Sequence, residues 1–239
     1  MGTEQTGAGG PFELLTIVVP VFNEAATIRT SMERLVKVQL PLPVDIVVVD
    51  DGSSDGSMSE IQHLVESRQI RVVRHDKNRG KGAALQTGLQ HATGDWAAIL
   101  DADLEYRAAD LGPLLEPLLN GDANVVFGSR SWSSHAAFSF WYVVGNKGVT
   151  MATNVIYNCW ISDVMTCHKA MSTELFRSLE LKERGFAIEP EIAARVLRAG
   201  ERIYEVPITY KARSREEGKK LTTLDGLRVL RTLLRCRVD

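Results

Sequence analysis

Cysteine is scarce in this 239-residue chain: Cys159, Cys167 and Cys236 are the full set. Their number is odd and no Cys-x-x-Cys spacing occurs. That argues against a disulfide framework or a structural zinc site and fits a reducing cytosol. No uninterrupted apolar run approaches the ~18 residues of a spanning helix. Residues 1–13, MGTEQTGAGGPFE, lack a basic n-region and an apolar h-region, so they read as a flexible lead-in rather than a signal peptide. The hydrolase signature His-Glu-x-x-His is missing, as are a Walker loop and the dinucleotide fingerprint. His63 and His91 fall on predicted helices and read as surface or packing residues; His75 reads as a loop histidine. A net charge of -2 gives no overall pull toward nucleic acid. That charge is unevenly spread, because nine Lys or Arg against four Asp or Glu lie between Lys211 and Asp239. A basic tail behind an acidic body suits a partner with phosphates, though a solvated helix face gives the same pattern.

Hydrophobic residues make up 44% of the chain, enough for a sizeable core. Over the first two thirds, short apolar runs alternate with helical patterns. Strands are predicted at Leu14 to Val19, Asp45 to Val49, Ile70 to Val73, Trp96 to Leu100 and Val125 to Phe127. Helices are predicted at Glu24 to Val38, Ser59 to Ser67, Lys81 to His91 and, disturbed by Pro113 and Pro117, Asp110 to Leu119. This order predicts an α/β fold with a mainly parallel sheet and helices on both faces. Further on, Glu189-Pro190-Glu191 opens a helix, and Ile203 to Tyr210 is an edge strand because Pro207 interrupts it. Leu224 to Arg237 is a basic amphipathic helix. One domain over 14–239 accommodates all of this.

In open α/β sheets ligands bind beyond the carboxyl ends of the strands. Four polar clusters stand at such ends: Pro20-Val21-Phe22-Asn23-Glu24, Asp50-Asp51-Gly52-Ser53, Asn78-Arg79-Gly80-Lys81-Gly82 and Asp101-Ala102-Asp103. In an extended segment Asp101, Asp103 and Glu105 point the same way. Carboxylates side by side repel unless a cation joins them. A hard ion such as Mg²⁺ or Mn²⁺ takes such oxygens and shares them with substrate phosphates. Asp50 and Asp51 suit a nucleotide base or ribose hydroxyl, and are equally ordinary turn formers. Asn23 and Glu24 also read as helix caps. Gly80 and Gly82 would let the backbone approach a ligand at a helix N-terminus.

Taken together, IVVPVFNE, IVVVDDGSSDGS, NRGKGAALQTGL and AILDADLE resemble the family 2 inverting glycosyltransferases of GT-A fold, over roughly residues 14 to 130. VVFGSR, FAIEPEIAARVLRAGERIYEVPITYKAR and EEGKKL are similar to the polyprenyl- or dolichyl-phosphate sugar synthase branch. The resemblance implies a mixed, mostly parallel Rossmann-like sheet and transfer of a sugar from a UDP- or GDP-linked donor to a polyprenyl phosphate, with Mg²⁺ or Mn²⁺. It implies a nucleoside pocket at Pro20, Phe22, Glu24 and Asp51, and a metal on Asp101, Asp103 and Glu105, with Ala102 between them at the donor. Asp103, Arg130 and Lys220 would serve the transfer itself. Arg130 would meet the lipid phosphate, and Arg213, Arg215, Lys219 and Lys220 would close over the phosphates. The sequence departs from the branch at Glu105, at Lys147 as the nearest second basic candidate, at Asp163 to His168, and in the loop around Arg213. Residues 131–162, with Trp141, Tyr142, Val143 and Val144, and the basic segment 211–239 would face a membrane surface. That places the protein peripherally on the inner face of the membrane, alone or beside a membrane-protein partner. A glycosyltransferase with a soluble acceptor and a non-catalytic nucleotide-sugar-binding subunit remain the alternative readings.

Overall fold

The computed structural model describes residues 13–131, 140–211 and 223–238. All but the last residue of the predicted lead-in lies outside them. Seven strands form one sheet: β1 Leu15–Val21, β2 Val44–Asp50, β3 Arg71–Arg74, β4 Trp96–Ile99, β5 Val125–Ser129, β6 Lys169–Ser172 and β7 Ile203–Pro207. Their spatial order is β3-β2-β1-β4-β6-β5-β7. Pairing is parallel except at β6, which runs antiparallel to both β4 and β5. The predicted strand with Pro207 is an edge strand, as the missing amide requires. β6 was not predicted. It has four residues, and its first, Lys169, is a fully buried cation that no apolar pattern announces.

Helices cover both faces, and the two-residue period of β1 shows how. Ile17 and Val19 pack toward α1 (Ile28–Leu35), the short helices α2 (Ser57–Glu60) and α3 (Gln62–Glu66), and α5 (Leu111–Leu119). Val18 points the other way, toward α4 (Lys81–His91), α7 (Thr173–Ser178) and α8 (Ile188–Arg198). The helix predicted over Ser59 to Ser67 is split in two at Ile61. Two further helices, α6 (Phe140–Tyr157) and α9 (Thr223–Val238), lie outside this frame. They pack on each other and on α8 through Ala187, Ala194, Val229, Leu233 and Cys236. None of the helices among the described residues is long and apolar enough to cross a membrane.

Candidate active site

A cavity of about 310 Å³ opens at the carboxyl ends of β1, β2 and β4. Nine residues singled out from the sequence line it: Pro20, Phe22, Glu24, Asp51, Asp101, Ala102, Asp103, Glu105 and Arg130. Arg213, Arg215, Lys219 and Lys220 lie outside the described residues. The wall also contains groups to which the sequence reading gave no role in the site: Lys81, named only within the third cluster, and Cys167, Phe186, Glu189, Tyr106 and Tyr210.

The acidic segment is a turn, not the extended strand that the alternation assumed. β4 ends at Ile99, and Leu104 adopts a left-handed φ of 62°. A non-glycine residue in that region is held there by its surroundings. Here Oδ1 of Asp103 accepts from the amide of Glu105 at 3.0 Å, which closes the turn. Glu105 in turn accepts from the Tyr210 hydroxyl at 2.7 Å. The three carboxylates therefore do not converge: among the described residues no three His, Cys, Asp or Glu side chains gather as one metal would need. Asp101 and Asp103 still face the cavity. A Mg²⁺ or Mn²⁺ ion that shares a diphosphate needs only one or two protein carboxylates, because phosphate oxygens and water complete its shell. The donor set fits a metal on that reduced basis, with Glu105 tied to Tyr210.

Asp51 is buried, and its carboxylate is engaged by the chain itself. It accepts from the amides of Arg79 at 2.9 Å and Gly80 at 2.7 Å. Its Oδ1 also lies 2.7 Å from Nδ1 of His75, whose Nε2 meets Thr87 at 2.9 Å. His75 is thus a buried strut behind the pocket. Asn23 does not cap α1: its Oδ1 accepts from Ser54 at 2.9 Å and pins the β2 loop to the β1 loop. The two glycines of the third cluster make room for protein. A Cβ on Gly80 would stand 2.4 Å from the carbonyl oxygen of Arg184, and one on Gly82 2.2 Å from that of Glu183. The 183–185 segment crosses there, and Arg184 accepts from the amide of Ala83 at 3.2 Å, satisfying a first-turn donor of α4.

Lys81 joins the two sides of the cavity. Its ammonium donates to Asp101 at 2.8 Å and lies 2.9 Å from Glu189. Glu189 also pairs with the buried Lys169, whose ammonium lies 4.8 Å from the Phe127 ring centroid. Burial works against the charge of Lys81, but Asp101 and Glu189 hold its ammonium well above the ordinary lysine range. Burial would likewise raise Asp101 and Glu189, and their lysine partners keep both below the usual carboxylate values. Burial pushes the Cys167 thiol well up, with Asp101 adding to the effect, so it stays neutral. One sequence signal for Lys81 existed. It is the first residue of α4, with no acid in that turn, and a cation there opposes the helix dipole.

Arg130 leaves the end of β5 and forms a two-pronged pair with Asp163, at 2.6 and 2.8 Å. Burial would raise Asp163, and Arg130 more than reverses this. The Arg130 guanidinium also lies 4.8 Å from the Tyr210 ring centroid. Glu205 on β7 fixes the Asp163 segment by accepting from the amides of Ser162 and Asp163. Lys147 of α6 reaches the adjoining Ser131 hydroxyl at 2.7 Å. The segment Asp163 to His168, a departure from the resembled branch, thus supplies the partner of Arg130.

Sheet order, the antiparallel β6 and a carboxylate turn after β4 define a GT-A glycosyltransferase fold. Glucosyl-3-phosphoglycerate synthase of Mycobacterium tuberculosis shares it with a TM-score of 0.70 at 22% identity, covering 94% of this chain and 80% of that one. That enzyme has also been solved with Mn²⁺, UDP and glucosyl-3-phosphoglycerate. The model of glycosyl transferase family 2 matches residues 16–179, and the chain belongs to that family. Relatives include a dolichol-phosphate mannosyltransferase of Pyrococcus furiosus, 28% identical over 209 residues, which cover 86% of this chain. The chain spans 58% of that protein's length. Glycosyltransferase AglJ of Haloferax volcanii is 28% identical over 217 residues, covering 90% of this chain and 68% of that one.

Proposed function

We propose that this chain transfers a hexose or aminohexose from a nucleoside diphosphate to a polyprenyl phosphate, inverting the anomeric carbon. The observation that carries this reading is the cavity itself, which Asp101, Asp103 and Arg130 line together with the strand-end residues. Pro20, Phe22, Glu24 and Asp51 receive the nucleoside. Mg²⁺ or Mn²⁺ on Asp101 and Asp103 would offset the charge that develops on the departing diphosphate. Arg130 orients the acceptor phosphate and shares its guanidinium with Asp163. Arg213, Arg215, Lys219 and Lys220 complete the positive side. The attacking phosphate oxygen is already ionised, so no protein group has to remove a proton.

A lipid acceptor is met at a membrane surface, and exposed apolar groups support such a contact. On α6, Phe140, Val144, Met151 and Val155 recur at helical spacing and are exposed, and Trp160 beyond it is 82% exposed. On α9, Leu230 and Leu234 are exposed among Arg228, Arg231 and Arg237. Apolar side chains set among arginines suit an interface with anionic headgroups. The side chains of Trp141 and Tyr142 lie outside the described set. The test is incubation with labelled UDP- or GDP-sugar and polyprenyl phosphate. Label is expected to pass into organic solvent, and Asp103→Ala to lower that transfer about 10²-fold or more. A water-soluble labelled product, or undiminished turnover of a folded Asp103→Ala protein, contradicts the reading.

A further inference from the structure

The carboxylate of Asp101 already holds a cation. Nζ of Lys81 donates to its Oδ2 at 2.8 Å and to Sγ of Cys167 at 2.9 Å. A second carboxylate lies equally near: Oε1 of Glu189, in the first turn of α8, is 2.9 Å from the same nitrogen. That contact is out of line for a hydrogen bond, and this buried oxygen receives none. The other oxygen of Glu189 is taken by Lys169. One ammonium thus stands between two carboxylates and is hydrogen-bonded to only one of them. A buried acceptor without a donor is unfavourable, and such groups are uncommon in folded proteins. A lysine ammonium on its flexible four-carbon stem can exchange between acceptors this close with little movement of its backbone.

We propose that Lys81 is a two-position cation that guards Asp101. With the donor site empty it neutralises Asp101. On donor binding it turns to Oε1 of Glu189 and releases Asp101 to the divalent ion. This rests on the reading of Asp101 and Asp103 as the metal's carboxylates. The physical consequence is a coupling between two ligands. A divalent ion alone must displace the ammonium and then sit beside its positive charge. An ion that enters with a nucleoside diphosphate brings negative charge that offsets both cations. Lys81 therefore suppresses binding of the bare ion and favours the pair, and the coupling is reciprocal. A lysine fixed on Asp101 would weaken the metal to the same degree with and without nucleotide, so its removal would leave the gain from nucleotide unchanged.

The test is Mn²⁺ binding, read from the electron paramagnetic resonance of the free ion, without nucleotide and with saturating UDP or GDP. It compares the parent with Lys81→Met, which keeps the stem, and Lys81→Gln, which keeps a polar head if the methionine variant folds poorly. The parent is expected to bind Mn²⁺ weakly alone and tightly with nucleotide. In the variants Mn²⁺ alone should bind about tenfold more tightly, and the gain from nucleotide should shrink by a similar factor. Glu189→Gln, which weakens the second position, should loosen Mn²⁺ only in the presence of nucleotide. Folded Lys81 variants that bind Mn²⁺ alone no better than the parent, while nucleotide still promotes binding, overturn the proposal and leave the metal site intact. A parent that binds no Mn²⁺ even with nucleotide overturns the proposal and the metal reading together.

Discussion

The two walls of the cavity are held by different means. Behind β1 and β2 the wall is laced by hydrogen bonds to backbone. Asp51 accepts amides from the 78–80 loop, and Asn23 accepts that of Ser54. Around β5, β6 and α8 it is held by buried charge: Arg130 with Asp163, and Lys169 with Glu189. Lys81 reaches from the first wall into the second. Amide donors are fixed by the fold and carry no formal charge, so they position a carboxylate without neutralising it. Ion pairs neutralise it, and they can exchange partners when a charged substrate enters. The rigid wall suits the nucleoside, and the exchangeable wall suits phosphates.

Perturbing each wall in turn tests that difference. The largest effect is expected at the charged wall. Asp163→Ala removes the carboxylate that takes both prongs of Arg130, and should cost about 3–5 kcal/mol in denaturant unfolding. A loss below 1 kcal/mol would show that the pair does little to hold this wall. At the seam between the walls, Gly82→Ala drives a methyl into the carbonyl of Glu183. About 1–3 kcal/mol is expected, measured the same way, and a neutral result would mean that the 183–185 segment yields easily. Acid should weaken the charged wall next. Burial holds His168 below its ordinary value of 6.5, so the unfolded chain takes up the proton first. Its contribution is complete above that pH and is lost as pH falls toward the lower folded value, by at most about 1.4 kcal/mol per pH unit. His168→Gln should flatten the thermal midpoint between neutral pH and pH 5. Asp163, also lowered, adds a second loss below 3.8. The smallest effect is expected at the Arg71–Asp45 pair near the far edge of β2. The Arg71 side chain is 45% exposed there, and Arg71→Ala should cost no more than about 1 kcal/mol.

The same contrast explains what was legible beforehand. β1, β2 and β4 are buried parallel strands, and a parallel strand announces itself as a short apolar run. Their ends fix where polar clusters must meet, so eight lining residues were readable there, and Arg130 after β5 came from the family resemblance. The orientation of Asp101, Asp103 and Glu105 was not. Alternation holds only while the chain is extended, and the left-handed Leu104 ends it. The charged wall left weaker traces. Lys169 and Glu189 are twenty residues apart and meet only through the sheet. The Glu-Pro-Glu start of α8 looked like ordinary N-terminal acids, yet both glutamates are buried. Glu191 accepts the amides of Lys182 and Glu183, a tertiary contact that no local pattern encodes. β6 stayed hidden because its first residue is a buried lysine.

Calorimetric titration with UDP and GDP, with Mn²⁺ and with chelator, tests most directly whether the acidic turn after β4 is a metal-assisted diphosphate site. One nucleotide should bind at least about tenfold more tightly with Mn²⁺, and Asp103→Asn should abolish that gain while the protein stays folded. Equal affinity in chelator, or a gain that survives Asp103→Asn, would contradict it.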